Sequence, residues 1–370
     1  MVILDVIKRI DKVLIIIPAL FGLISCFMIS SIDATAAAPY SSEVMVQITA
    51  FCIGYGILAL MVVIDYKKYF KFDKLFYAAA VALQCLVFVP GVGMEIFGTT
   101  RWINLGFTTV QPSEFAKVFF VIYFAAYLTR NKEHLKTFIG FLFAFLYGLP
   151  IVGLVAYADL GSGIVLFVML VSMIFAAGLR AGLVLRVGAI SVILVPVIYR
   201  FLSDYQKERF AALLHPDDLS IDAVHQVYQS KVAIGSGGFL GKGFRQGIIK
   251  ESGLLPVHDS DFIFPIICEE FGFVGGIVVI ALYLALIVRI WWIIAKTTEL
   301  FGALIAVGFM SMFAFQAFEN IGMSMGLMPV TGITLPMVSA GGSSIVACMT
   351  ALGLIMSVHF RDTSRGLQYW

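Results

Sequence analysis

Charge is what this chain has least of. Asp, Glu, Lys and Arg make up 13% of its 370 residues, against 61% for the apolar set AVILMFWYC. Soluble globular chains carry roughly 25% charge. A water-soluble fold would have too little polar side chain to cover its surface, and a disordered chain needs the opposite composition. Cysteine is scarce as well. The five present (Cys26, Cys52, Cys85, Cys268, Cys348) lie in apolar stretches and form no C-x-x-C pair, which excludes a disulfide-stapled scaffold and marks them as core or lipid-facing residues. The five histidines show no metal-ligand spacing. A net charge of +2 without a long basic run excludes a nucleic-acid partner. The composition that remains is that of an integral membrane protein.

About 20 apolar residues cross a hydrocarbon core. Ten segments qualify: residues 12–32, 44–64, 75–92, 112–128, 138–158, 161–179, 183–202, 262–288, 301–323 and 343–359. Lys8, Arg9 and Lys12, Lys67 to Lys74, Arg130 to Lys136, Arg180, Arg289 and Lys296, and Arg361 and Arg365 all fall on one side of that arrangement. The short loops of the other side hold only Arg101. The positive-inside rule then places both termini in the cytoplasm. The expected fold is an all-α polytopic membrane protein of about ten transmembrane helices, one domain over residues 1–370. A large extracytoplasmic loop, residues 203–261, joins helices 7 and 8. Lys8 to Lys12 followed by Ala34-Thr35-Ala36 has the look of a secretory signal, but the apolar run between them is nearer 20 residues than the 7–15 of a signal core. A retained helix is expected there.

Ionisable groups at membrane depth are costly and mark functional sites. Glu114 and Lys117 are spaced to pair on one helix face. Asp159 ends the fifth segment, Asp261 opens the eighth with Glu269 and Glu270 beyond it, and Arg101 precedes Glu114. All five of Arg101, Glu114, Lys117, Asp159 and Asp261 fall at the outer membrane level. A transport pathway would distribute charge through both leaflets and show inverted repeats; neither is visible. Arg186 and Glu319, near helix ends, are expected to be interfacial and to snorkel. The glycine-rich run Gly235 to Gly243 lacks the G-x-G-x-x-G spacing and has no Ser or Thr after its Gly-Lys pair, so it is no nucleotide loop. It fits a turn that lets two backbones approach closely. His258-Asp259-Ser260-Asp261 does not make a coordination sphere, and no protein-built metal site is expected.

Five blocks of the chain resemble, in order, the SEDS family (shape, elongation, division, sporulation). They are Arg101-Trp102 with Gln111-Pro112-Ser113-Glu114-Phe115-Ala116-Lys117; Asp159-Leu160-Gly161; Tyr228-Gln229-Ser230-Lys231 with Gly235 to Gly238 and Gly241-Lys242-Gly243-Phe244; Asp261-Phe262-Ile263-Phe264 with Glu269-Glu270-Phe271-Gly272; and Asn320-Ile321-Gly322-Met323 through Gly332, Pro336 and Gly341-Gly342-Ser343-Ser344. The Gln-Ser-Lys and Gly-Lys-Gly-Phe forms look more like the RodA branch than the division branch. The chain departs from the family pattern at Val257 to Ser260, at Tyr157-Ala158 and at Ala340.

The resemblance implies a peptidoglycan glycosyltransferase of the bacterial cytoplasmic membrane that polymerises lipid II on the outer face during elongation, with a class B penicillin-binding protein and other elongation-complex membrane proteins as partners. A division or sporulation paralogue, a flippase and a non-enzymatic scaffold are the alternatives. By position Asp261 matches the family's essential aspartate and is the expected general base of an inverting transfer. Arg101 and Lys117 would stabilise the leaving pyrophosphate, Glu114 would orient Lys117, and Asp159 would order the network. Lys242, Ser343 and Ser344 lie in matching blocks and join the expected substrate network. The resemblance fixes no cofactor; a divalent cation, Mg or Mn, could arrive with the pyrophosphate.

Overall fold

The computed structural model describes residues 10–33, 42–96, 99–104, 106, 109–178, 200, 207–209, 213, 215–218, 221–247 and 260–366. Helices dominate: α1 (Val13–Asp33), α2 (Ser42–Val63), α3 (Asp73–Cys85), α4 (Pro112–Arg130), α5 (Phe138–Ala158), α6 (Leu160–Ala176), α7 (Asp222–Ser236), α8 (Ile263–Lys296), α9 (Leu300–Ser324) and α10 (Gly342–Gly366). Among the described residues, α1, α2, α5, α8, α9 and most of α10 are long and apolar enough to cross a membrane, with α6 a shorter apolar helix. Nine of the ten expected segments fall on these helices. The seventh, residues 183–202, lies outside the described residues except for Arg200, as does Arg186. The third is a helix of only 13 residues, α3, followed by one 3-10 turn.

The all-α expectation needs correcting. Between α3 and α4 the chain forms an antiparallel three-stranded sheet, β1 (Gly93–Ile96), β2 (Thr99–Asn104) and β3 (Thr109–Val110), in the order β1-β2-β3. Arg101 and Trp102 therefore sit on a central strand and not in an irregular loop. β1 pairs along that strand with a register shift opposite Arg101, and β3 pairs with it at Ile103 and Asn104.

Helix α4 explains how charge is accommodated inside the bundle. It begins with Pro112 in its first turn, where the missing N–H costs nothing. Glu114 there complements the helix dipole. Fourteen of the nineteen residues of α4 are buried by protein, Glu114 and Lys117 among them, so these two meet each other and not lipid. Helices α6 and α9 pack beside it, and α10 runs along α2.

The basic ends of the helices gather at one end of the bundle. Arg289 Nε donates to Asp11 Oδ2 at 2.5 Å, Lys67 pairs with Glu299 at 3.0 Å, and Arg361 pairs with Asp65 at 3.3 Å. Arg130 closes on Asp73 there too.

Helix α8 is broken at Gly272, whose φ of +67° and ψ of −161° interrupt the helical ladder. The glycine-rich run after α7 is spliced into the break. Lys242 N donates to Glu269 O at 2.9 Å and Gly243 N to Glu270 O at 3.0 Å, while Phe273 N donates to Gly238 O at 2.9 Å. At membrane depth, backbone groups freed by a kink need such partners. A Cβ on Gly237 would stand 1.9 Å from Cys268 O, and one on Gly241 2.1 Å from Glu270 O. The expected close approach of two backbones is present, with a membrane helix as the second backbone.

Candidate active site

At the end of the bundle opposite the basic cluster lies a cavity of about 710 Å³, lined among others by Arg101, Gln111, Glu114, Asp159 and Asp261. This is a volume typical of small-ligand sites.

Asp159 is the hub of one wall. It is the single extended residue between α5 and α6, with φ −146° and ψ 100°, so its carboxylate projects from the start of α6. Oδ2 accepts from Ser162 Oγ at 2.7 Å and from Gln111 Nε2 at 3.1 Å. Oδ1 faces Arg101 Nη1 at 3.8 Å. Gly161 follows because a Cβ there would lie 2.9 Å from Thr331 O; the glycine admits the segment after α9.

That segment, residues 325–341, is irregular, and from Val330 to Ser339 it is mostly buried. Its backbone is satisfied by side chains from several helices. Gln47 Nε2 donates to Ser339 O at 3.0 Å, Ser25 Oγ to Val338 O at 2.6 Å and Tyr283 to Pro336 O. Buried irregular backbone is stable only when paired in this way. Ala340, one of the positions at which the chain departs from the pattern it resembles, lines the cavity directly.

Asp261 stands on the facing wall, just before α8. Asn320 Nδ2 donates to its main-chain oxygen at 2.8 Å, and Ser339 Oγ donates to Ser260 O. Burial pushes the Asp261 carboxyl above the ordinary aspartate range, against the opposing pull of the Arg209 and Arg101 guanidiniums and a hydrogen bond from Ser260. Asp159 pushes in the same direction as burial. Desolvation disfavours the charged form and makes the carboxylate a stronger base.

Arg209 is the site residue that the sequence did not single out. It lies in the long loop among mixed charges, and no spacing sets it apart. A Cβ on Gly332 would fall 2.9 Å from Arg209 Nη1 and 3.3 Å from Asp261 Oδ2, so guanidinium and carboxylate converge on one glycine.

The other expected residues are placed as follows. Glu114 lines the cavity, and its Oε1 accepts from Lys117 Nζ at 2.8 Å. Lys117 is fully buried behind it. Lys242 is held away from the cavity by Glu269, at 2.7 Å, where it anchors the glycine splice. Ser343 Oγ accepts from Gln111 N at 3.2 Å and so ties α10 to the start of α4; Ser344 is buried beside it. Glu319 corrects an expectation. It does not snorkel but is 1% exposed, with one carboxyl oxygen accepting from Thr331.

Comparison with known proteins agrees with this architecture. The family model described as FtsW, RodA and SpoVE cell cycle protein matches residues 10–364. The peptidoglycan glycosyltransferase MrdB of Escherichia coli K12 is 35% identical over 317 residues, covering 85% of this chain and 84% of MrdB. Among solved structures, a chain from a study of how a peptidoglycan synthase complex coordinates polymerization and crosslinking superposes with a TM-score of 0.81 at 28% identity, covering 95% of this chain and 98% of that one. The rod shape determining protein RodA of Thermus thermophilus gives a TM-score of 0.69 at 26% identity, with 95% and 97% covered.

Proposed function

This chain belongs to the FtsW, RodA and SpoVE family, and from that premise we infer that it is a peptidoglycan glycosyltransferase, a multi-pass membrane enzyme of cell-wall synthesis. The finer reading is that it polymerises lipid II at the outer face of the cytoplasmic membrane during elongation. A ten-helix topology with both termini cytoplasmic accompanies that reading. The separation of the basic cluster from the cavity supports the orientation, because lysine and arginine mark the cytoplasmic side.

One observation carries the chemistry: Asp261 lies on the cavity wall, half-buried, with its main chain pinned by Asn320. In the reaction the 4-hydroxyl of a GlcNAc attacks the anomeric carbon of MurNAc on a second lipid. The C–O bond to the polyprenyl pyrophosphate breaks, and the hydroxyl proton passes to Asp261. One displacement converts the α-linked donor to a β-linked product. Arg101 and Arg209 would meet charge developing on the pyrophosphate. Asp159 orients Arg101. The buried Glu114–Lys117 pair stiffens the wall, and Ser343 and Ser344 support it from α10. Lys242 acts at a distance, through the splice. A Mg or Mn ion would come with the pyrophosphate, since among the described residues no three Asp, Glu, His or Cys groups are grouped to hold one. No step above needs one.

A class B penicillin-binding protein transpeptidase is the proposed partner. The test is direct. The purified protein with that transpeptidase should convert lipid II into glycan strands, resolved by electrophoresis; a preparation that binds lipid II but never lengthens it would overturn the activity.

A further inference from the structure

A short arc of backbone, Thr331-Gly332-Ile333, is wedged between the two acidic walls of the cavity. On one side, a Cβ at Gly161, beside Asp159, would stand 2.9 Å from Thr331 O and 2.9 Å from Ile333 Cγ1. On the other, a Cβ at Gly332 would stand 3.3 Å from Asp261 Oδ2 and 2.9 Å from Arg209 Nη1. A glycine at each contact lets the arc close on both walls. Gly332 and Ile333 themselves line the cavity. Where the arc sits therefore sets how Asp159 and Asp261 are spaced.

Helix α9 grips the arc with two consecutive residues. Asn320 Nδ2 donates to Ile333 O at one end, and also to Asp261 O. Glu319 accepts from the hydroxyl of Thr331 at the other end. Glu319 is 1% exposed, and its second carboxyl oxygen has no hydrogen-bond partner among the described residues. The arc thus supplies the one hydrogen bond its carboxyl makes there. A carboxyl group at membrane depth is costly and marks a functional role. A leucine would fill the same space more cheaply, so the feature that only the carboxyl adds is its hold on Thr331.

Resting on the glycosyltransferase reading, we propose that Glu319 is a positioning residue: through Thr331 it fixes the arc that spaces the proposed base, Asp261, from the wall formed by Asp159 and Arg101. The two α9 side chains divide the task. Asn320 ties the main chain of the base to the far end of the arc, and Glu319 keeps the near end against the turn at Asp159.

The experiment compares wild type, Glu319→Leu, Thr331→Val, the double variant and Glu319→Gln in nanodiscs with lipid II. Glu319→Leu and Thr331→Val should each lower kcat by about tenfold or more, with KM changed less than about twofold. The double variant should be no worse than the poorer single, because both remove one bond. Glu319→Gln keeps an acceptor oxygen for Thr331 and should retain most of the activity. In the first two variants the acid limb of kcat/KM should move to lower pH, since a loosened arc admits water to Asp261; in Glu319→Gln it should stay in place. Hydrogen exchange over residues 325–341 should rise in the same two variants and not in Glu319→Gln. Thr331→Val, which keeps the side chain's shape, carries the test if Glu319→Leu does not fold. Full activity in Thr331→Val would overturn the proposal, as would losses that multiply in the double variant. Slowed turnover with an unmoved acid limb would overturn it too, leaving Glu319 a role in folding alone. Glycan formation by wild type tests the enzymatic reading separately. The exchange comparison tests Glu319 even where no polymer forms: unchanged exchange in Thr331→Val would overturn its hold on the arc.

Discussion

Asn320 Nδ2 donates to the main-chain oxygen of Asp261 at 2.8 Å and to that of Ile333 at 2.7 Å. One buried amide thus joins the loop carrying the proposed base to the irregular segment that closes the cavity. Asn320→Ala removes both bonds and leaves two buried carbonyls unpaired, at a cost of about 1–3 kcal/mol each. The expected outcome is a lower melting temperature and a kcat reduced by at least about tenfold, because a small displacement of a catalytic group is costly. Unchanged kinetics in a folded variant would show that Asp261 is held by other contacts.

The pH profile of polymerisation should report the environment of Asp261. Its carboxyl titrates above the ordinary aspartate range because it is desolvated, and a base works only when deprotonated. Activity should therefore rise with pH through that elevated value. Arg209→Gln removes a cation that favours the carboxylate, so the acid limb should move to higher pH. Asp159→Asn removes a negative charge and should move it to lower pH. Measuring kcat/KM against pH for the three proteins checks both signs.

Gly332 occupies a position with φ of +74°, and the space where its Cβ would stand is bounded by Arg209 and Asp261. In Gly332→Ala the left-handed backbone costs about 1–2 kcal/mol, and the methyl separates the guanidinium from the carboxylate. The expected result is a folded protein whose polymerisation is largely lost, scored by melting and by product gels side by side.

The splice at Gly272 makes a structural prediction. A Cβ on Gly272 would stand 2.3 Å from Gly241 N, backbone against backbone, so Gly272→Ala should expel the glycine run from α8 and lower the melting temperature sharply. Lys242→Met should cost less, since it removes a partly exposed partner of Glu269 and leaves the backbone bonds in place.

Much of the fold was legible because hydropathy records where a helix meets lipid. Asp159 and Asp261 were legible for the complementary reason: a carboxylate bordering an apolar run is conspicuous. Other features left no comparable trace. The strands carrying Arg101 are too short to show alternation. Arg209 is one charge among many in a long loop. Glu319 was misjudged because its position near a helix end says nothing of residues 325–341 folding back over it.

Orientation has its own test. In Ser236→Cys the thiol at the end of α7 should react with an impermeant maleimide in intact spheroplasts. Labelling only after permeabilisation would put the cavity on the cytoplasmic side.

The central claim is that Asp261 takes the proton of the attacking hydroxyl. Asp261→Asn keeps the size of the side chain and the Asn320 anchor but removes the base. With lipid II and the transpeptidase partner, this variant should fold, bind the lipid and the partner, and form no glycan strands. Strands formed at the wild-type rate by Asp261→Asn would contradict the account.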